Sequence, residues 1–268
     1  MTLAIDLSGK VILVIGTARG GIGGATARQI AKAGGTVVAV DLTQAAVDET
    51  LADIAALGAD GFGIVADVMD VAQSEALVGQ VIAAFGRIDG VANVAGGTTD
   101  SEWMPLEDTP TETFKRTINL NFEYVFRICR DAAKAMIASG HGGAIVNVGS
   151  VSALTSAPWH GPYGASKSAI SALTRTMAYE WKDVGIRANT VSPGGVLSDR
   201  VRAKAKVANV ADGGLNEDDF TSVDEMANGI TFLLSDLASG ISGQTLVIDR
   251  ALSTKFCAGE RKRRGELS

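Results

Sequence analysis

Two cysteines and two histidines among 268 residues leave little from which to build a disulfide framework or a metal cluster. Cys129 and Cys257 suit a reducing compartment. His141 and His160 alone argue against a His-based metal site or a catalytic triad, so no metal is expected. Positive charge is also short: the net charge is −6, whereas a nucleic-acid binder usually carries a basic face. No apolar run reaches the roughly 18 residues that a membrane span needs. The opening MTLAIDLSGK puts no basic region before an apolar core, so no signal peptide is expected and the cytoplasm is the expected location. Aromatics are sparse at 5%, whereas 32 glycines point to tight turns and close helix packing, and 46% hydrophobic with 20% charged residues suffices for a buried core.

What is present alternates. Val11–Ile15 is a β-branched run suited to a strand buried on both faces. A helix follows over Ile22–Ala33, ended by Gly34-Gly35. Strands are then predicted at Thr36–Asp41, Gly61–Val68, Ile88–Gly96, Gly142–Val151, Ile186–Ser192 and Gln244–Asp249. Between them lie helices at Thr43–Leu57, Val71–Phe85, Thr113–Ser139, Gly161–Asp183 and Val223–Ser235. Seven strands separated by helices predict one α/β domain over residues 1–252, a doubly wound Rossmann-type parallel sheet with helices on both faces. Residues 197–221 are polar and irregular, the composition of a lid over a substrate. The stretch 253–268 reads as a polar, basic tail.

The loop GTARGGIG (Gly16–Gly23) ends the first strand and opens the first helix. A dinucleotide pyrophosphate binds at such a place, on free N–H groups at the positive end of the helix dipole. No Gly-Lys-Ser/Thr follows, which excludes a P-loop. Asp41 ends the second strand 18 residues beyond Gly23, where a carboxylate can accept hydrogen bonds from ribose hydroxyls. Asp41 could equally cap the helix beginning near Thr43. Asp67, at the end of the third strand, is placed for the adenine side of the same ligand.

The second informative stretch runs from Val146 to Thr174. Ser150 ends a strand, Tyr163 lies thirteen residues on, and Lys167 four beyond that. Positions i and i+4 share a helix face, so the ammonium can approach the phenol. A neighbouring cation favours the phenolate and should lower the tyrosine pKa. Tyr163 could then take a proton from an alcohol or give one to a carbonyl, with the Ser150 hydroxyl holding the substrate oxygen. A Tyr-x-x-x-Lys pair by itself is more often an exposed helical pair; the glycine loop and the strand-end acid give it its meaning.

Together these stretches resemble the short-chain dehydrogenase/reductase family, over about Leu7–Leu252. Further matches are NVAG (Asn93–Gly96), NLNFEYVF (Asn119–Phe126), SPGGV (Ser192–Val196) and ISGQTLVID (Ile241–Asp249). The resemblance implies Tyr163 as acid/base, Lys167 as its activator and a ribose ligand, and Ser150 as anchor of the substrate oxygen. It also implies an asparagine holding a water in a proton relay. Asn121 stands in register for that role, with Asn119 in reserve. Cofactor contacts are implied at Gly16, Arg19, Gly21, Ile22, Gly23, Asp41, Leu42, Asp67, Val68, Asn93, Ala95, Gly96, Pro193, Gly194, Val196 and Ser198, in addition to Tyr163 and Lys167. Departures are Ile15 for the family's threonine, one extra residue in the glycine loop with Gly20 as the candidate, Val94 for an asparagine, and DRAL (Asp249–Leu252) for Asp-Gly-Gly.

Asp41 should repel the 2′-phosphate of NADP, whereas Arg19 could pair with it; NAD is the expected cofactor. The substrate is expected to be a small alcohol or ketone meeting Ser150, Leu154, Trp159, Tyr163 and Gly195, with Trp103 and Met104 as further apolar wall. Arg200 and Arg202 could meet an acidic substrate or face water. The expected reaction interconverts a secondary alcohol and a ketone. The alternatives are an NADPH-dependent 3-oxoacyl thioester reductase and a catalytically silent binding protein on the same fold. By resemblance, the long helices pair in a homodimer or homotetramer.

Overall fold

The computed structural model describes residues 4–207 and 220–254. Its elements are β1 (Val11–Ile15), α1 (Ile22–Lys32), β2 (Thr36–Asp41), α2 (Gln44–Ala56), β3 (Gly61–Val65), α3 (Val71–Phe85), β4 (Gly90–Asn93), α4 (Thr111–Ile118), α5 (Tyr124–Ser139), β5 (Gly143–Val148), α6 (Gly161–Glu180), β6 (Ile186–Pro193), β7 (Val196–Leu197), α7 (Asp199–Val207), β8 (Thr221–Ser222), α8 (Val223–Leu234) and β9 (Thr245–Ile248). Seven strands form one parallel sheet in the order β3-β2-β1-β4-β5-β6-β9. This is the Rossmann-type doubly wound sheet that the alternation predicts.

The period-2 geometry of a strand divides the core. Val11, Leu13 and Ile15 of β1 pack on one face with Tyr124, Ile128 and Met136 of α5, Leu77 of α3 and Ile170 of α6. Ile12 and Val14 face the other way, toward Ile30 of α1, Ile54 of α2 and Ile230 of α8. Each fully buried side chain of this kind stabilises the fold by about 1.5–3 kcal/mol. The strands run β1 to β2 to β3 toward one edge and β4 to β5 to β6 to β9 toward the other. The switch point lies between β1 and β4, paired through Ile15 and Asn93. Chains leaving a parallel sheet at its switch point diverge and open a crevice.

Several boundaries differ from the expectation: β4 spans only Gly90–Asn93 of Ile88–Gly96, and β5 ends at Val148 rather than Val151. The third strand stops at Val65 rather than Val68: the Ala66 N–H donates the last bond to β2, to the Asp41 carbonyl, and the Asp67 carboxylate then accepts from the Met69 N–H as the chain turns away. The long helix expected over Thr113–Ser139 is split by a π-helical turn, Asn119–Glu123, between α4 and α5. One extra residue in that turn shifts the register of α5 relative to α4, and such bulges concentrate at functional sites. The expected irregular lid contains two ordered pieces: β7 pairs with β8, and α7 begins at Asp199. Positions 208–219 of the lid and 255–268 of the tail lie outside the described residues.

Candidate active site

The glycine loop closes against the β4 loop. A Cβ on Gly16, whose φ is +86°, would lie 2.7 Å from the Ala95 backbone, and one on Gly23 would lie 1.9 Å from the Gly16 carbonyl oxygen. Both positions therefore require glycine. Helix α1 begins at Gly21 with no capping side chain and no acidic residue in its first turn. Its first N–H groups and the positive end of its dipole are left for an anion. Beside it, a cavity of about 240 Å³ is lined by Gly16, Asp41, Leu42, Asp67, Val68 and Ala95, among others. Loop, helix end and cavity thus fit the two ends of a dinucleotide.

Individual side chains divide into those aimed at this crevice and those tied elsewhere. Asp41 is not the helix cap; the Thr43 hydroxyl caps α2 by accepting from the Ala46 N–H at 3.3 Å. Asp41 accepts instead from the adjacent Leu42 N–H at 2.8 Å and stays on the cavity wall. Arg19 is bound to Asp53 through two contacts of 2.8 and 3.1 Å, and Asp53 also accepts from Arg28 at 3.2 Å. The Asp67 carboxylate accepts from Met69 N–H at 2.8 Å, shaping the turn after β3. Asn93 turns its side chain into the core, donating to Asn147 Oδ1 at 2.8 Å and to Cys129 Sγ at 3.3 Å. The Asn93 amide nitrogen is thus engaged in the core, whereas its Oδ1 has no partner among the described residues. Ser198 Oγ accepts from Val201 N–H at the start of α7, and Gly195 gives room to the Phe220 ring, 2.6 Å from where its Cβ would stand.

The chemical groups meet where β5 gives way to α6. Ser150 caps a short 3₁₀ turn and faces Tyr163, one turn into α6. Lys167 is buried, and its ammonium donates to the Val148 carbonyl at 2.9 Å. It stands 5.4 Å from the centre of the Tyr163 ring. Asn121 sits in the π-helical turn, fully buried. It accepts from the Gly97 N–H at 2.7 Å and donates to the Gly97 carbonyl at 2.9 Å. A Cβ on Gly96, whose φ is +152°, would lie 2.7 Å from Asn121 Oδ1 and 3.3 Å from Lys167 Nζ. Gly96 therefore lets asparagine and lysine approach one another. Asn119 points away, donating to the Met69 carbonyl at 3.2 Å and accepting from Arg127 at 3.3 Å, which separates the two asparagine candidates.

The electrostatics correct one expectation. Burial raises the Tyr163 phenol above its ordinary pKa, and only the hydrogen bond from Ser150 opposes it. Burial also brings the Lys167 ammonium down to about 7. Desolvation thus sets the direction for both groups, and a lowering by the lysine does not enter among the causes at Tyr163. The Tyr124 hydroxyl donates to the Ala95 carbonyl at 2.6 Å and steadies the loop from below.

Two further groups lie in stretches that the sequence offers as substrate-facing, the loop after Gly96 and Thr155–His160, without a role for either side chain. His160 precedes Tyr163 by three residues and stacks on its ring, and Trp103 stacks on His160. The i, i+3 spacing at the start of a helix is the available signal for the first contact. Glu102, buried in the loop before α4, gathers Thr99, Arg116 and Thr117 around its carboxylate. Leu154 and Trp159 are exposed, and Trp159 adopts φ +63°, a strained conformation for a bulky residue.

Comparison with known proteins agrees with this geometry. The family model described as Enoyl-(Acyl carrier protein) reductase matches residues 16–253. D-threitol dehydrogenase of Mycolicibacterium smegmatis is 35% identical over 93% of this chain and 95% of its own. The 3-oxoacyl-(acyl-carrier-protein) reductase FabG of Escherichia coli is 32% identical over 91% and 98%. A solved short-chain type dehydrogenase/reductase from Mycobacterium ulcerans superposes with a TM-score of 0.85 at 27% identity, covering 94% of this chain and 92% of its own. With the family model matched over residues 16–253, and with its serine just past β5 and its tyrosine and lysine on α6, the chain belongs to the short-chain dehydrogenase/reductase family of oxidoreductases.

Proposed function

We propose that the protein is an NAD-dependent dehydrogenase that interconverts a secondary alcohol and a ketone. The observation carrying this reading is the convergence of Ser150, Tyr163 and Lys167, with Asn121 and Lys167 both close to Gly96, the residue after Ala95 of the cavity wall. A silent binding protein would have no need of all four. NAD, when bound, accepts the hydride in oxidation and returns it in reduction. Ile22 and Gly23 would hold its pyrophosphate on their N–H groups, with the loop closed at Gly21, whose N–H donates to the Ala18 carbonyl at 2.9 Å, and Asp41 would hold its ribose hydroxyls.

The remaining work falls to the chain. Ser150 holds the substrate oxygen in line with the Tyr163 hydroxyl. Tyr163 takes the alcohol proton during oxidation and returns it during reduction. Lys167, anchored on the Val148 carbonyl, supplies charge beside the phenolate as it forms. Asn121 fixes Gly97 and, with it, the wall opposite Lys167. Likeness to a D-threitol dehydrogenase supports alcohol oxidation.

Reduction of a 3-oxoacyl thioester with NADPH is the second reading, favoured by Arg19 in the loop and by likeness to FabG. Against it stand the Arg19–Asp53 pair, Asp41 on the cavity wall and a net charge of −6, unsuited to an acidic carrier. A small alcohol or ketone is thus the proposed substrate. Assembly into a homodimer or homotetramer through α5 and α6 is part of the proposal, supported by the exposed Phe126 and Ile137 on α5. So is a cytoplasmic setting, which suits the buried free thiol of Cys129; among the described residues no helix is long and apolar enough to cross a membrane.

The test is Tyr163→Phe, assayed for NADH fluorescence and for turnover of an alcohol panel. Binding should persist while turnover falls by about 10²–10⁴. Turnover retained in the variant would overturn the reading.

A further inference from the structure

The imidazole of His160 is fixed on three sides. One face lies parallel to the Tyr163 ring, with centroids 4.4 Å apart and planes 7° from coincidence. The other face is covered by Trp103 at 4.0 Å and 22°. Its edge is held by a hydrogen bond between Nε2 and Thr98 Oγ1, 2.9 Å long. Only 9% of the residue is exposed.

Each of these partners is anchored in turn. Glu102 accepts from the Thr99 N–H and hydroxyl, accepts from the Thr117 hydroxyl at 2.9 Å, and pairs with Arg116 at 2.6 Å. That cluster pins the loop that carries both Thr98 and Trp103. Arg200 of α7 donates to the Thr98 carbonyl. The imidazole is thus held by the β4 loop, and through that loop by α4 and α7, and it passes this constraint to the ring of Tyr163.

A phenol turns freely about its Cβ–Cγ bond unless a flat neighbour restrains it, since that torsion is broad. Here a flat neighbour lies nearly parallel to one ring face, and the Lys167 ammonium lies 5.4 Å from the ring centre. Burial holds His160 below its ordinary pKa, opposed by the charge of Glu102. The stacked ring is therefore neutral at pH 7 and acts by shape.

We propose that His160 is a positioning residue, whose imidazole, clamped by Trp103 and Thr98, sets the plane of the Tyr163 ring and so the plane in which its O–H bond points, the oxygen itself lying on the Cβ–Cγ axis beside Ser150. The proposal rests on Tyr163 being the acid/base group. A side chain that merely filled space at this position would leave the chemical step unchanged, and that difference is measurable.

The experiment uses the full chain saturated with NADH and three variants, His160→Ala, His160→Phe and Thr98→Val. The sequence holds three tyrosines, so ring-labelled tyrosine NMR resolves Tyr163, assigned by Tyr163→Phe. In the wild type its ring signals should be shifted by the stacked imidazole and its ring flips slow. In His160→Ala the shift should vanish and the flips quicken, and His160→Phe should restore both. With NAD and D-threitol, xylitol and 1,2-cyclohexanediol as probes, His160→Ala should lower kcat by about 10- to 100-fold, as misplacement of a reacting group does. KM and NADH affinity should hold, His160→Phe should recover most of kcat, and Thr98→Val should fall between. Tyr163 signals indifferent to His160→Ala, or unchanged kcat in that variant beside an inactive Tyr163→Phe, would overturn the proposal alone. Turnover retained in Tyr163→Phe would overturn the acid/base reading on which it rests. Should His160→Ala fail to fold, the comparison of His160→Phe with Thr98→Val decides: equal loss in both, with Tyr163 signals unmoved, overturns it.

Discussion

A Cβ on Gly20 would stand 1.9 Å from Asp199 Oδ2, and the Asp199 N–H donates to the Gly20 carbonyl at 3.1 Å. The candidate extra residue of the glycine loop is therefore the point at which the loop meets the first residue of α7. A loop of ordinary length would have to reach the same helix with one residue fewer.

Gly20→Ala is predicted to disturb this contact. The carboxylate tip can swing aside, but Asp199 Cβ would remain 2.7 Å from the new methyl unless α7 itself shifts. Overpacking of this kind costs about 1–3 kcal/mol, which should appear as a roughly tenfold rise in the Kd for NADH. Asp199→Gly opens the space, so the double variant should bind NADH nearly as the wild type does. Fluorescence titration of the four proteins forms a double-mutant cycle. Simple additivity would show that the two residues act separately.

Cofactor preference turns on Asp41, Arg19 and Asp53. Asp41→Ala removes the carboxylate that a 2′-phosphate would meet, and Asp53→Ala releases Arg19 from its ion pair. Each change should raise the ratio of kcat/KM for NADP over NAD, together by tenfold or more, equivalent to about 1.4 kcal/mol. Steady-state kinetics with both cofactors on one alcohol checks this. An unmoved ratio in the double variant would mean that neither residue reads the phosphate.

Much of this architecture is legible in the chain because local patterns and tertiary demands agree. β1 and β5 read as buried runs, and each helix that the alternation demands is present. Ser150, Tyr163 and Lys167 can be paired by spacing because a strand end and a helix turn fix their separation. The π-helical turn is not legible, since one additional residue in a turn leaves hydrophobic periodicity nearly unchanged, yet it aims Asn121 at Gly97 and Asn119 away. The direction of the Tyr163 pKa shift escapes the sequence for another reason. Spacing shows which charges are neighbours, whereas desolvation depends on everything else that surrounds them. The contact of Trp103 with His160 joins segments more than fifty positions apart, and no local rule speaks to it.

Lys167 offers a prediction about stability whose sign opposes its role in activity. Burial lowers its pKa from 10.5 to about 7. Between those two values the unfolded chain binds more protons at this position than the folded one, so the contribution of Lys167 to stability rises with pH. At and below pH 7 the folded protein must accommodate a charge that water solvates better, offset in part by the bond to the Val148 carbonyl. Lys167→Met removes that cost along with the activity. Urea unfolding should therefore find the variant as stable as the wild type or more so at pH 7. That advantage should shrink, by on the order of a few kcal/mol, as the pH approaches 10. Parallel stability curves for the two proteins across that range would show that Lys167 keeps its ordinary pKa in the fold, and that its charge is carried at no cost.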